Sequence, residues 1–337
     1  MLMISSTPAA RPSVPPGMTR DDSSLSLPVV SPSAAAASLN PAVLKVLAGV
    51  KDVLRPGGIS VHWEPNNQTA KILSGDKMHP EANLCWQTLC RIQAEGTQSD
   101  DGKYVHGYDP KEVDRLKIQA RHLAEIFGAG EECVKLPHEK LDWNSNFLEI
   151  GCGVGANFLT RIPRFGGIRN LYGIDISEQS LAEARETAKS LHLAGDVKLR
   201  AGDLTTRSIS GILGEDVSID LCLTQFVMEH IADNPDIGPE MARHVQEAGL
   251  EVLRDREVEA DCARPGSEAT FATAVYQMLL AQKSAIQDRL KAEGHDPVLI
   301  WRELDRAVAK DELVLRICFN EVVARKPVSG TVNAAYV

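Results

Sequence analysis

Three acids and a run of glycines carry the chemistry that spacing alone can suggest. Phe147-Leu148-Glu149-Ile150-Gly151-Cys152-Gly153-Val154-Gly155-Ala156 reads as a strand ending at Ile150, followed by a G-x-G-x-G turn that opens a helix. Glycines let the backbone approach a ligand closely, and a helix N-terminus presents unpaired N–H groups. Alone, the turn fits a dinucleotide fingerprint or an ordinary tight turn. Glu149, just before the glycines, is costly to bury unless a cationic or hydrogen-bonding partner meets it, and a ligand ammonium would do so. Asp175 closes the next strand, twenty residues beyond Gly155, where an acid reaches both hydroxyls of a ribose. Asp203, in Gly202-Asp203-Leu204, closes the third strand. Its carboxylate suits an adenine amino group, with Leu204 against the ring. The set fits adenosine joined to an amino acid better than a pyrophosphate.

These residues need elements to hold them. Strands are expected at 146–150, 170–174, 197–201 and 219–224, with helices from the glycine turn to about 162 and over 178–191. Alternating strands and helices imply a parallel sheet covered on both faces. Ahead of this core, residues 41–54 have helical spacing, Arg55-Pro56-Gly57-Gly58 stops that helix, and 59–63 reads as a short strand. Helices are expected at 79–94 and at 110–127, the latter with Asp109 as cap and Pro110 in the first turn. The C-terminal third reads as helix 239–248, strand 250–258, helical stretches 267–292 and 297–309, and strand 313–324.

Composition narrows the class. The chain has 337 residues, 43% of them apolar and 24% charged, as in ordinary globular proteins. No apolar run approaches the roughly 20 residues needed to span a bilayer. With 36 Lys and Arg against 46 Asp and Glu, the net charge is −10. An acidic chain without a cationic block is a poor phosphate neutraliser, so no nucleic-acid partner is expected. The 7 cysteines are scattered without a C-x-x-C pair, which fits buried thiols and a cytoplasmic setting rather than disulfides or a metal site. Residues 1–40, rich in Ser, Pro and Ala, are expected to be disordered. Prolines interrupt any secretory signal there, and Arg11 and Arg20 leave a mitochondrial presequence as the alternative.

The stretches LEIGCGVGANF, LYGIDISEQSLAEARETA, VKLRAGDL and SIDLCLTQFVMEHI resemble successive motifs of class I S-adenosylmethionine-dependent methyltransferases. The likeness is greatest to the small-molecule branch that includes the ubiquinone- and menaquinone-biosynthesis enzymes. The resemblance implies an α/β, Rossmann-like seven-stranded, mostly parallel sheet with helices on both faces and a helical lid. It implies S-adenosyl-L-methionine as cofactor, with Gly151 and Gly153 under the methionine moiety, Asp175 and the adjoining Ile176 at the ribose, Asp203 and Leu204 at the adenine, and Gln225 and Phe226 beside the methyl. Tyr104-Val105-His106-Gly107-Tyr108, followed by Arg115 and Gln119, resembles the segment leading into such sites. There Tyr104, Tyr108 and Gln119 would meet the cofactor's carboxylate end.

One segment stands in an unexpected place. After Ile231-Ala232-Asp233-Asn234 the family's next turn and fifth strand are missing, whereas Asn40 through Glu64 reads as what should follow. The expected organisation is therefore a relocated helix, fifth strand and cap helix at 41–100, a cofactor core at 101–234, strands six and seven with a helical lid insertion at 235–328, and a tail at 329–337. Strand 59–63 should then pair beside strand 219–224. The alternative makes 55–58 an ordinary turn in an N-terminal cap domain.

Methyl transfer is an in-line displacement at a sulfonium, so alignment and exclusion of water can supply most of the acceleration. A base is needed only when the acceptor must lose a proton. His106 and Glu64 are the expected catalytic residues, with His62 and His230 behind them, and no metal is called for. Trp63 and Trp86 suit an apolar acceptor pocket or a core equally. The expected activity is methylation of an O, N or C atom of a small organic acceptor. The alternatives are a protein or RNA acceptor, or cofactor binding without transfer.

Overall fold

The computed structural model describes residues 39–96, 145–155, 159, 168–192, 197–232, 234, 237–267 and 270–328. Helix α1 (Pro41–Val53) starts where the sequence requires: the Asn40 side chain accepts the N–H groups of Ala42 and Val43 at 2.9 and 3.2 Å, and Pro41 occupies the first helical position. Its stripe Val43, Val46, Leu47, Val50 and Val53 is buried. The chain then enters β1 (Leu54–Ser74), turns through β2 (Lys77–Met78) and continues into α2 (Pro80–Gly96). The central elements are β3 (Ser145–Ile150), β4 (Ile168–Asp175), α3 (Glu178–Ser190), β5 (Val197–Ala201), α4 (Ile209–Leu213), β6 (Ile219–Gln225) and α5 (Met228–Ala232). A single 3₁₀ turn leads into α6 (Met241–Glu247), then β7 (Glu251–Ala263). A π-helical turn over Ala272–Tyr276 precedes α7 (Gln277–Ala281), α8 (Lys283–Ala292), α9 (Pro297–Ala309) and β8 (Leu313–Arg325).

Among the described residues these strands form one sheet in the order β5-β4-β3-β6-β1-β8-β7, with the two-residue β2 paired to β1. Pairs β5/β4, β4/β3, β3/β6 and β6/β1 are parallel. Pairs β1/β8 and β8/β7 are antiparallel. The first of the described strands thus lies inside the sheet, with Ile59 to Trp63 in register with Leu221 to Gln225. It is not part of a separate cap, and the reason is its burial on both faces. Ile59, Val61 and Trp63 point into one apolar layer, Ser60 and His62 into the other.

β1 runs well beyond the expected 59–63. Its upper part pairs Lys71 to Ser74 with Arg316 to Leu313 across an irregularity at 67–70. There the Thr69 hydroxyl accepts the N–H of Cys318 at 2.9 Å. β7 likewise extends past 258 to Ala263, drawn along by its ladder to β8. The expected helix 267–292 is broken at Gln282, which leaves helical geometry between α7 and α8.

Each face of the sheet carries its own apolar layer. One holds Phe147, Leu171, Leu223, Trp63 and Phe319 under α2, α3, α7, α8 and α9. The other holds Leu148, Ile174, Cys222 and Val322 under α1, α4, α5 and α6. This is the helix-on-both-faces α/β architecture expected. No helix among the described residues is long and apolar enough to cross a membrane.

Candidate active site

The parallel strands finish level with one another. Ile150 is in register with Ile174 and Thr224, Asp175 with Ala201, and Gln225 with Trp63. The residues that follow these positions share one end of the sheet, where open α/β folds bind ligands.

The glycine turn is built to bring backbone close. Gly151, Gly153 and Gly155 have φ of 70°, 52° and 71°, left-handed values that suit glycine. The N–H groups of Gly151 and Cys152 both reach the Ile174 carbonyl, at 2.7 and 3.1 Å, which binds the turn to β4. A side chain at Gly151 would overlap the Cγ2 methyl of Val227. Sequence reasoning missed Val227 as a site residue, since an apolar residue after a strand end has no chemical signature.

Asp175 secures the same turn. One carboxylate oxygen accepts the Gly153 N–H at 2.8 Å and the other the Ser177 N–H at 2.8 Å. Burial pushes its carboxyl up, and the N–H groups of Ser177, Gly153 and Ile176 pull against that. Each oxygen can accept a second bond, so the carboxylate is able to hold ribose hydroxyls while tied to the turn. Glu149 is buried on the face shared with Phe147. Cys152, in the middle of the turn, is buried too, and burial with Asp175 and Glu149 nearby raises its thiol far above the ordinary range.

Asp203 sits half-buried beyond β5. It accepts the Thr205 N–H at 2.8 Å and the Thr205 hydroxyl at 2.6 Å. Burial pushes its carboxyl up, but the Thr205 and Thr206 groups and Lys45 outweigh this and hold it below the usual range. Leu204 is 8% exposed and packs in the layer under α1 and α4. Ile176, 57% exposed beside Asp175, is the apolar surface left at that end.

Beyond β6, Gln225, Phe226 and Val227 are half-buried. Phe226 has φ of 57°, a strained value for a residue with a side chain. Its N–H bonds to the Trp63 carbonyl at 2.9 Å, and its ring lies 5.5 Å from that of Phe319. Trp63 is core, with its ring 6.5 Å from Phe319, and Trp86 is core under α2.

Glu64 is fully buried, one residue beyond Trp63 and so on the opposite face. Its Oε1 accepts the N–H groups of Val227 and Met228 at 3.3 and 3.0 Å, and its Oε2 that of Glu229 at 3.3 Å. His62 is buried as well, with its ring nitrogens 2.8 Å from the Thr224 hydroxyl and 3.1 Å from the Ser60 hydroxyl. His230 is exposed. Tyr104, His106, Tyr108, Arg115 and Gln119 lie outside the described residues. Among the described residues no group of three or more His, Cys, Asp or Glu is placed to hold a metal ion.

Residues 147–249 match the family described as Methyltransferase domain. The mRNA cap guanine-N(7) methyltransferase of Schizosaccharomyces pombe is 30% identical over 101 residues, 30% of this chain and 27% of that protein. An uncharacterized 37.1 kDa protein in transposon TN4556 of Streptomyces fradiae is 29% identical over 106 residues, 32% of this chain and 28% of that protein. The chain therefore spans little more than a quarter of the length of these curated relatives. A solved S-adenosylmethionine-dependent methyltransferase from Thiobacillus denitrificans, in complex with S-adenosylhomocysteine, aligns at 16% identity over 69% of this chain and 96% of that one, with a TM-score of 0.30. The matched span contains the glycine turn, both strand-end acids and the turn after β6, so it is over these elements that the chain resembles the methyltransferase domain family.

Proposed function

We propose that the chain transfers a methyl group from S-adenosylmethionine to an O, N or C atom of a small organic acceptor. One observation carries this reading: the glycine turn, Asp175, Asp203 and the turn after β6 lie at one end of one sheet, with Asp175 bonded to the glycine turn itself. In this reading Gly151 and Gly153 lie under the methionine moiety and Glu149 faces its ammonium. Asp175 holds the ribose with Ile176 beside it, Asp203 the adenine amino group, and Leu204 lies against the adenine ring. Gln225 and Phe226 border the methyl. Tyr104, Tyr108 and Gln119 keep their assignment to the carboxylate end, and His106 remains the candidate base. The segment 41–100 is read as the family's fifth-strand unit carried at the front of the chain, which the place of β1 between β6 and β8 supports.

The net charge of −10 and the absence of a cationic block favour a small acceptor over a polymer. The likeness to a protein named as an mRNA cap methyltransferase favours the second reading, an RNA acceptor. Incubation with methyl-labelled S-adenosylmethionine and a cell extract, followed by separation by size, decides between them. Label in the small-molecule fraction is expected. Label in RNA or protein selects the second reading, and no transfer from a protein that binds the cofactor rejects both.

A further inference from the structure

Beyond the ladder between β1 and β6, Glu64 ties β1 to the turn after β6. The carboxyl is fully buried and takes three consecutive backbone N–H groups, those of Val227, Met228 and Glu229. One residue earlier, the Trp63 carbonyl takes the N–H of Phe226. Four successive amides, 226 to 229, are thus held by two successive residues of β1. The turn needs this hold. Phe226 is in a left-handed conformation, which persists only where the surroundings over-determine it. Val227 must also stay over Gly151, against the glycine turn. α5, at five residues, is too short to organise its own start.

We propose that Glu64 is a positioning residue: its carboxyl clamps the amides of 227–229, so that the turn carrying Phe226 and Val227 keeps the wall of the cofactor site in place. The inference rests on the methyltransferase reading. It assigns Glu64 no contact with acceptor or methyl and no proton transfer. Geometry rather than charge is the requirement. Burial and the neighbouring Glu229 push the carboxyl up to about 8, against the pull of the three N–H groups. A neutral carboxyl still accepts through its oxygens. An amide of the same length keeps an oxygen for the Val227 and Met228 N–H groups but gives up the acceptor for that of Glu229, whereas an aspartate, one methylene shorter, does not reach.

The test uses the full chain as Glu64→Gln, Glu64→Asp and Glu64→Leu, with S-adenosylhomocysteine as the probe. Calorimetry gives its affinity, backbone hydrogen exchange gives the protection of amides 226–229, and urea unfolding gives global stability. Glu64→Gln is expected to stay within a few-fold of the unsubstituted protein in affinity and exchange. Glu64→Asp and Glu64→Leu are expected to exchange amides 227–229 roughly tenfold faster and to bind about tenfold more weakly, while β3 and β8 keep their protection. If Glu64→Leu does not fold, Glu64→Asp carries the test. Undisturbed exchange at 227–229 in Glu64→Asp overturns the proposal. So does a rescue by Asp that Gln does not match, which would make charge the requirement. If the unsubstituted protein fails to bind S-adenosylhomocysteine, the methyltransferase reading falls, and the exchange measurement still decides whether Glu64 clamps the turn.

Discussion

Val227 lies directly over Gly151, so close that no side chain fits at position 151 while the turn after β6 stays in place. Gly151 also sits at φ 70°, which costs about 1–2 kcal/mol for a residue with a Cβ. Gly151→Ala should therefore lower the urea midpoint and weaken S-adenosylhomocysteine binding at least severalfold. Adding Val227→Ala should recover part of the stability, because it removes the overlap and leaves only the backbone strain. Simple addition of the two losses in the double variant would show that the residues do not press on each other.

Asp175 has two tasks in one carboxylate, the glycine turn and the proposed ribose. Asp175→Ala should weaken S-adenosylhomocysteine binding by about 1.5–3 kcal/mol, the range for charge-assisted hydrogen bonds. It should also destabilise the ligand-free protein, since the N–H groups of Gly153 and Ser177 lose their acceptor. Calorimetry showing unchanged affinity would reject the ribose assignment. A melting temperature raised by NAD instead of S-adenosylhomocysteine would favour a dinucleotide site.

Glu64 gives stability an alkaline slope. Its carboxyl titrates near 4.5 when unfolded and at about 8 when folded. The folded state holds the proton more tightly, so this contribution is fully present below pH 4.5 and is lost as pH rises through 8, at about 1.4 kcal/mol per unit where the slope is full. Glu229 faces the group from α5, and His62 lies two residues back on the same strand. Urea unfolding at pH 6 and pH 8 should show a decline that Glu64→Gln removes. Equal slopes in the two proteins would place the carboxyl at its ordinary value.

His62 acts on the acid side. Burial lowers its imidazole from 6.5 to about 3. The stability it contributes is present above pH 6.5 and is lost as pH falls through 3. His62→Gln should flatten the acid limb of a stability-against-pH curve measured by urea unfolding. Between pH 4.5 and 6.5 the slopes of Glu64 and His62 oppose each other, so the unsubstituted protein should change least there. An acid limb unaltered by the substitution would show that other groups govern it.

The strand, the glycine turn and the acid at the next strand end were legible because their signals are local and lie within thirty residues, although the turn by itself also fits a dinucleotide fingerprint. The place of strand 59–63 beside β6 was expected from the resemblance of Asn40 through Glu64 to the segment missing after Asn234, and its alternating residues alone do not give it. Burial of that strand on both faces hides which way Glu64 points, because neither side is left to solvent. The upper half of β1 was illegible for another reason. Asn66-Asn67-Gln68 breaks the strand pattern, and what holds it is a partner 249 residues away, where Thr69 meets Cys318. The assignments to Tyr104, His106, Tyr108 and Gln119 fall outside the described residues.

The interior place of β1 has a consequence for synthesis. A ribosome makes this strand before both of its main neighbours, and 164 residues separate Glu64 from Met228. At ordinary elongation speeds the first strand waits on the order of ten to thirty seconds for β6, and longer for β8. Throughout that time α1, α2 and the short β2 are made beside it, but its long edges lack β6 and β8, and an unpaired strand edge is the kind of segment that aggregates or recruits a holdase. Among the described strands the middle of the sheet is filled by the earliest and completed by the last, so the yield of folded protein should depend on chaperone supply during translation more than a chain with its strands in consecutive order would.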